Sequence, residues 1–207
     1  MDKTICVYCS SSDAVDPVYF MAARALGEEL SVRGCRLIYG AGAIGLMGAC
    51  ARTVREGGAP VTGVIPEALN RPGIVFEDCD DLMVTETMGE RKALMFANAD
   101  GFIALPGGYG TLEELLEIIT LKQLHYHEKP IVIMNTGGFF DPLISMFERM
   151  IDEQFAKPGC RDLYQVTQCP KQALDYIESY RSGPREDKWF SSPDRSAGTG
   201  DGSKVGK

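Results

Sequence analysis

The residues best suited to chemistry form one run of small side chains that ends in an acid, Pro106 to Glu114 (PGGYGTLEE). An apolar segment typical of a buried strand, 101–105, precedes this run, and a segment with helical periodicity follows it. A glycine loop between a strand and a helix N-terminus lets main-chain N–H groups approach an anion, and the helix dipole favours negative charge there. The run therefore predicts a site for a phosphate-bearing ligand.

A purely structural role fits the same residues. Thr111 and Glu114 have the spacing of a capping box, in which a threonine hydroxyl and a carboxylate three residues later satisfy free amides at a helix start. A plain helix start needs one capping residue, whereas three glycines lose conformational entropy and suggest close approach of the backbone to another group. Both roles stay open, because a carboxylate in the first turn can cap the helix and still face a ligand.

A second glycine loop, Gly40 to Gly48, follows the apolar segment 36–39. Gly40, Gly42 and Gly45 have the GxGxxG spacing of a dinucleotide-binding loop. The loop follows the second predicted strand rather than the first, and Glu67 is a poor candidate for the acid that binds a ribose. NAD binding remains an alternative, as does a tight turn with close helix packing.

Composition restricts the class of protein. The net charge of −8, from 21 basic and 29 acidic residues among 207, opposes a broad surface for nucleic acid or acidic membranes. No apolar run reaches the roughly 20 residues that span a bilayer, and no signal peptide is recognisable, so a cytoplasmic location is expected. Seven dispersed cysteines suit reduced thiols, and Cys6 and Cys9 are predicted on opposite faces of a strand. His125 and His127 lack metal-ligand spacing, so no metal site is expected.

Strand and helix patterns alternate along the chain. Strands are predicted at 4–9, 36–39, 61–65, 82–85, 101–105, 131–134 and 163–166, and helices between or after them at 17–32, up to 56, 87–97, from 111, 139–155 and 173–180. The alternation predicts an α/β fold: a doubly wound, Rossmann-like parallel sheet with helices on both faces. Ligands bind at the carboxyl ends of such strands, so the loops 9–12, 40–48 and 106–111 are expected to converge. The predicted domain is 1–180, and the composition of 181–207 predicts a disordered tail.

Three motifs together resemble a known family. Residues 106–114 match the PGGxGTxxE motif of the LOG (LONELY GUY) family, residues 90–92 match its Arg-Lys pair, and residues 39–48 resemble its YGGGxxGLMG segment. The resemblance covers about residues 4–180. Ala41 stands where a glycine is usual and Ser10 where a glycine is common, which bears on substrate preference more than on the reaction.

The resemblance implies hydrolysis of the N-glycosidic bond of a purine nucleoside 5'-monophosphate, either of cytokinin type or AMP, to the free base and ribose 5-phosphate. It implies catalytic roles for Arg91 and Glu114 and no cofactor. Cleavage of this bond builds positive charge on the ribose, which a carboxylate such as Glu114 would stabilise. By resemblance the substrate-binding residues are Ser11, Gly42, Met88, Lys92, Gly107, Gly108, Tyr109, Gly110, Thr111 and Thr120.

The family also implies a homodimer or larger homo-oligomer, because its members build the pocket at a subunit interface. Without the family, Arg91 and Lys92 would be interpreted as a solvated helix face. The alternative function is that of a non-catalytic carrier of a nucleotide-like ligand such as molybdenum cofactor, which related folds perform. Some members carry the label lysine decarboxylase, but no lysine in this sequence has a convincing pyridoxal-phosphate context.

Overall fold

The computed structural model describes residues 3–183. Of the predicted tail, 181–207, all but the first three residues lie outside the described residues. Within residues 3–183, seven strands form one sheet in the order β4-β3-β2-β1-β5-β6-β7, and every neighbouring pair is parallel. The strands are β1 (Thr4–Tyr8), β2 (Arg36–Tyr39), β3 (Val61–Pro66), β4 (Asp81–Thr85), β5 (Gly101–Ala104), β6 (Ile131–Met134) and β7 (Gln165–Thr167).

In the described part of the chain, six α-helices connect or follow these strands and cover both faces of the sheet. They are α1 (Pro17–Val32), α2 (Gly45–Glu56), α3 (Met88–Asn98), α4 (Tyr109–Gln123), α5 (Asp141–Asp152) and α6 (Pro170–Ser179). One apolar layer packs α1, α2 and α6 on the sheet, and the other packs α3, α4 and α5 on the opposite face. The predicted doubly wound α/β fold is therefore confirmed.

Alternation along β1 shows how the sequence builds the two layers. Ile5 and Val7 belong to the first layer, whereas Cys6 and Tyr8 belong to the second, because successive side chains of a strand point to opposite faces. Cys9 lies in the first layer, so Cys6 and Cys9 are separated by the sheet. All seven cysteines are free thiols, as the sequence predicted.

The strand order reverses at β1, which pairs with β2 on one side and with β5 on the other. Helix α3 leaves β4 at the edge of the sheet, contacts β3, β2 and β1, and leads to β5. Ligands bind in open parallel sheets at such a reversal, outside the carboxyl ends of the strands. The helix that begins after β4 and the one that begins after β5 start at this end of the sheet, so side chains from their first turns can meet.

The predicted capping box of Thr111 and Glu114 is wrong. Helix α4 begins at Tyr109 with Gly108 as its extended N-cap residue, and no side chain of residues 3–183 caps it. Thr111 is consequently the third residue inside the helix, and Glu114 lies beyond the first turn. A capping box does occur at α3, where the Thr87 hydroxyl accepts from the Glu90 amide and the Glu90 carboxylate accepts from the Thr87 amide.

No helix among residues 3–183 is both long enough and apolar enough to cross a membrane.

Candidate active site

A crevice opens at the carboxyl ends of β1 and β5, where the strand order reverses. Residues 9–12 form one wall, residues 108–111 with Glu114 form another, and Arg91 lies between them. Of the three loops predicted to converge, two supply most of the crevice lining, whereas the loop 40–48 contributes Met47.

The glycine loop presents an uncapped helix N-terminus to the crevice. The amides of Tyr109, Gly110 and Thr111 belong to the first turn of α4, where no intrahelical acceptor exists, so they are available to an anion. A Cβ atom at Gly107 would lie 2.1 Å from the buried Thr111 hydroxyl, which explains the glycine at that position. The Ser10 amide donates to the Pro106 carbonyl at 3.2 Å, and this bond holds the two walls together.

The N-terminus of α2 is closed by comparison. The amide of Gly45 donates to Asp13 Oδ1 at 2.8 Å, and the amides of Leu46 and Met47 donate to the Ser10 carbonyl at 2.9 and 3.2 Å. A pyrophosphate would have to displace these bonds, so the GxGxxG match does not support NAD binding. The alternative interpretation, a tight turn with close packing, agrees with the left-handed φ of +64° at Gly45 and with a Cβ position there only 2.5 Å from the Ser11 backbone.

Arg91 and Glu114 form a buried ion pair in the crevice wall. Arg91 Nη1 donates to Glu114 Oε1 at 2.8 Å, and the two side chains are 8% and 7% exposed. Arg91 Nε donates to the Val64 carbonyl at 3.0 Å, and Nη1 also lies 3.4 Å from Met88 Sδ. The structure thus brings together the two side chains that the sequence predicted as catalytic, although they lie on different helices.

Burial and the neighbouring charge shift the pKa of Glu114 in opposite directions. Its burial raises the carboxyl pKa above the ordinary value, and the Arg91 guanidinium opposes the rise through its charge and its hydrogen bond. Another crevice residue, Cys9, is 2% exposed, and burial raises the pKa of its thiol well above the ordinary value. Because the thiol stays protonated, Cys9 is a poor nucleophile. Glu114 is the one carboxylic acid among the described residues that line the crevice.

The other predicted substrate residues have different environments. Ser11, Gly108, Tyr109, Gly110 and Thr111 line the crevice, Gly107 lies directly behind it, and Met88 contacts Arg91.

The remaining three predicted substrate residues also lie outside the lining. Gly42 is buried and forms an isolated bridge with Val75. Lys92 forms ion pairs with Glu113 and Glu117 on α4, and the hydrogen bond to Glu113 raises the lysine pKa. Thr120 lines a separate apolar groove between α4 and α5.

Sequence reasoning missed four contributors to the crevice and its support. Cys9, Ser12 and Met47 line the crevice, but no motif marked them individually as site residues. Val64 supports Arg91 through its backbone carbonyl, a role that carries no side-chain signal. Among residues 3–183, no three His, Cys, Asp or Glu side chains come together as a metal site would require.

Comparisons with known proteins agree with the motifs. The family model described as "Possible lysine decarboxylase" matches residues 47–177. The chain is 43% identical over 182 residues to the probable cytokinin riboside 5'-monophosphate phosphoribohydrolase LOGL1 of Oryza sativa subsp. japonica, covering 88% of this chain and 82% of that protein. It is also 43% identical over 178 residues to the cytokinin riboside 5'-monophosphate phosphoribohydrolase LOG7 of Arabidopsis thaliana, covering 86% of this chain and 82% of the relative.

Solved structures share the fold at lower identity. A molybdenum cofactor binding protein from Rippkaea orientalis superposes with a TM-score of 0.66 and 19% identity, over 86% of this chain and 97% of that chain. The molybdenum cofactor carrier protein of Chlamydomonas reinhardtii gives 0.65 and 21%, over 86% and 97%. These likenesses show the fold alone, whereas the sequence relatives decide the family. The chain belongs to the LOG family of cytokinin riboside 5'-monophosphate phosphoribohydrolases.

Proposed function

We propose that this chain hydrolyses the N-glycosidic bond of a purine nucleoside 5'-monophosphate and releases the free base and ribose 5-phosphate. One observation carries the proposal: the buried pair of Arg91 and Glu114 shares a crevice with the uncapped N-terminus of α4. An anion site and a reactive carboxylate in one crevice suit a sugar phosphate, whose charged and reacting ends are several ångströms apart.

The substrate's phosphate would bind the first-turn amides of α4 and orient the ribose. Water then replaces the base at the anomeric carbon: the C–N bond breaks, a water oxygen bonds to that carbon, and a proton reaches the departing base. Glu114 stabilises the positive charge on the ribose or accepts the proton of the attacking water. Arg91 fixes the carboxylate in place and favours its ionised form, which both roles require.

A homodimer belongs to the same proposal. Helix α5 is amphipathic, yet none of its residues is buried within the described part of the chain. The groove between α4 and α5 is lined by Phe147, Met150 and Phe155, and Phe155 is 79% exposed. A second copy is the occupant that the family's oligomeric assembly suggests. Thr120 lies in this groove, so a substrate contact for Thr120 would depend on that second copy.

Two other functions receive less support. None of the described residues that line the crevice is a lysine, and Lys92 is held in ion pairs, so amino-acid decarboxylation through a lysine-bound cofactor is not proposed. A carrier of molybdenum cofactor shares the fold, but a carrier has no need of an ionised carboxylate beside the ligand's sugar. Seven free thiols support a reducing, cytoplasmic location.

The proposal is tested by incubating the purified protein with AMP and with isopentenyladenosine monophosphate and separating the free bases by chromatography. Glu114→Gln should lower kcat by about 100- to 10,000-fold, the usual contribution of a positioned acid or base. Glu113→Gln is the matched control, because Glu113 is exposed on the same helix and pairs with Lys92. Tight nucleotide binding without base release would instead favour the carrier, and full activity of Glu114→Gln would remove this residue from the mechanism.

A further inference from the structure

Gly40 follows β2, and its backbone conformation does not explain why this position is a glycine. Its φ lies outside the left-handed region, so an ordinary residue could adopt the same conformation. Space is the constraint: a Cβ atom at position 40 would lie 1.8 Å from Arg91 Nη2 and 3.0 Å from Arg91 Cζ. The next neighbour, Met47 Cε, would be at 3.5 Å, an ordinary contact. The Arg91 guanidinium alone therefore requires glycine here.

Hydrogen bonds fix two of the three guanidinium nitrogens. Nε donates to the Val64 carbonyl and Nη1 donates to Glu114 Oε1, while Nη2 faces Gly40, where a Cβ atom would lie 1.8 Å away. We propose that Gly40 is a positioning residue for Arg91: by offering bare backbone, it lets the guanidinium reach Val64 and Glu114 at once. This inference rests on the proposed function only in so far as Arg91 and Glu114 carry the reaction.

Arg91 cannot move away from a methyl group at position 40 and keep both of its hydrogen bonds. The 1.8 Å separation is about 1.6 Å short of ordinary van der Waals contact, which begins near 3.4 Å. Arg91 Nε and Nη1 are held at 3.0 and 2.8 Å from their acceptors, so a shift of that size would break one or both hydrogen bonds. Loss of the bond to Glu114 would leave the carboxylate misplaced and without its counter-charge.

The test compares Gly40→Ala with Gly89→Ala. Gly89 lies on α3, two residues before Arg91, and a Cβ there would meet Thr87 Oγ1 at 3.8 Å, so alanine fits. Gly40→Ala should lower kcat for base release from AMP by about 100-fold, the loss typical of a 1 Å misplacement at a reacting centre. Its KM should change little, because the phosphate-binding amides belong to α4. Gly89→Ala should retain wild-type kinetics.

A titration of Glu114 provides a readout independent of activity. In protein labelled with carbon-13 at glutamate carboxyls, NMR follows the Glu114 signal, which is assigned by its loss in Glu114→Gln. Because Arg91 lowers the pKa of Glu114, its displacement in Gly40→Ala should raise that pKa, and Gly89→Ala should leave it unchanged. An unaltered Glu114 titration in folded Gly40→Ala overturns the inference. If the wild-type protein releases no base, the proposed function fails while this measurement still decides the role of Gly40.

A double variant covers the case in which Gly40→Ala does not fold. Methionine at position 91 lacks the Nη2 atom, so Gly40→Ala should be tolerated when combined with Arg91→Met. A double variant that folds, with a melting temperature close to that of Arg91→Met alone, supports the inference. A double variant that melts well below Arg91→Met, or that fails to fold when Arg91→Met alone folds, shows that Gly40 serves the turn itself and overturns it.

Discussion

Replacing Arg91 by methionine would remove one charge of the buried pair and leave Glu114 without its counter-charge. The two side chains are 8% and 7% exposed, so water screens the remaining carboxylate poorly. Breaking a buried pair from one side typically destabilises a protein by about 3–5 kcal/mol. For a domain of this size each kcal/mol lowers the melting temperature by about 2–4 °C, so the expected loss at neutral pH is about 6–20 °C.

The loss should depend on pH, with a sign that follows from Glu114. Burial raises the folded-state pKa of Glu114 above its ordinary value of 4.5, and without Arg91 the rise is larger. An acid with a raised folded-state pKa binds its proton more tightly in the native state, so stability falls as pH rises through the window from 4.5 to that higher value. Arg91→Met should therefore be most destabilised at pH 7 and should recover part of the difference below pH 4.5.

The assay is calorimetric or circular-dichroism melting at pH 7 and pH 4, with Lys92→Met as the control. That variant removes a neighbouring cation whose pair with Glu113 is far more exposed, 19% and 57%, and should lose at most about 1 kcal/mol. Adding Glu114→Gln to Arg91→Met should restore most of the stability without restoring activity. Equal melting temperatures for the two methionine variants at pH 7, or a loss in Arg91→Met that ignores pH, would refute the reasoning.

Two further predictions address the interface and the anion site. Phe155→Asp should dissociate the proposed homodimer, because removing a phenyl ring buried in both copies of a symmetric interface weakens association by at least about 100-fold. Sedimentation velocity measures the dissociation. The control is Val32→Asp, at an 83% exposed position on α1, which should leave the assembly intact. Gly107→Ala places a Cβ atom 2.1 Å from the Thr111 hydroxyl and should weaken binding of ribose 5-phosphate by about 10-fold or more in calorimetry, in line with loss of one or more hydrogen bonds to a charged group; unchanged affinity would separate this turn from phosphate binding.

The sequence predicts most of the fold, because the patterns that indicate each helix and strand are local. Helix α1 and strands β2 and β6 have the predicted bounds, since each is a short apolar or periodic segment between clear breakers. The start of α4 was displaced by two residues, because Gly108 caps the helix with its backbone where a threonine was expected to cap with its side chain. Local patterns predict which elements exist better than they predict where the elements end.

The sequence predicted the site in part, and what it did not predict are the tertiary contacts between its residues. Arg91 and Glu114 were predicted from motifs, but their mutual contact depends on two helices that approach across the sheet. Arg91 and its neighbour Lys92 look alike in sequence, since each is a cation on α3. They differ in burial, because only Arg91 turns towards the sheet. Gly40 was noticed as one member of a GxGxxG triplet, whereas its close contact with Arg91 involves a residue 51 positions away along the chain.

The path of α3 over β3, β2 and β1 determines which parts of the fold must be in place before the Arg91–Glu114 pair can form. Arg91 lies on the helix that follows β4, and its carboxylate partner Glu114 lies on the helix that follows β5, the strand on the other side of β1. Neither helix possesses the pair alone. If Arg91 and Glu114 carry the reaction as proposed, recovery of turnover during refolding would report when β5 and its following helix have joined β1, and a nascent chain would be inactive before that point.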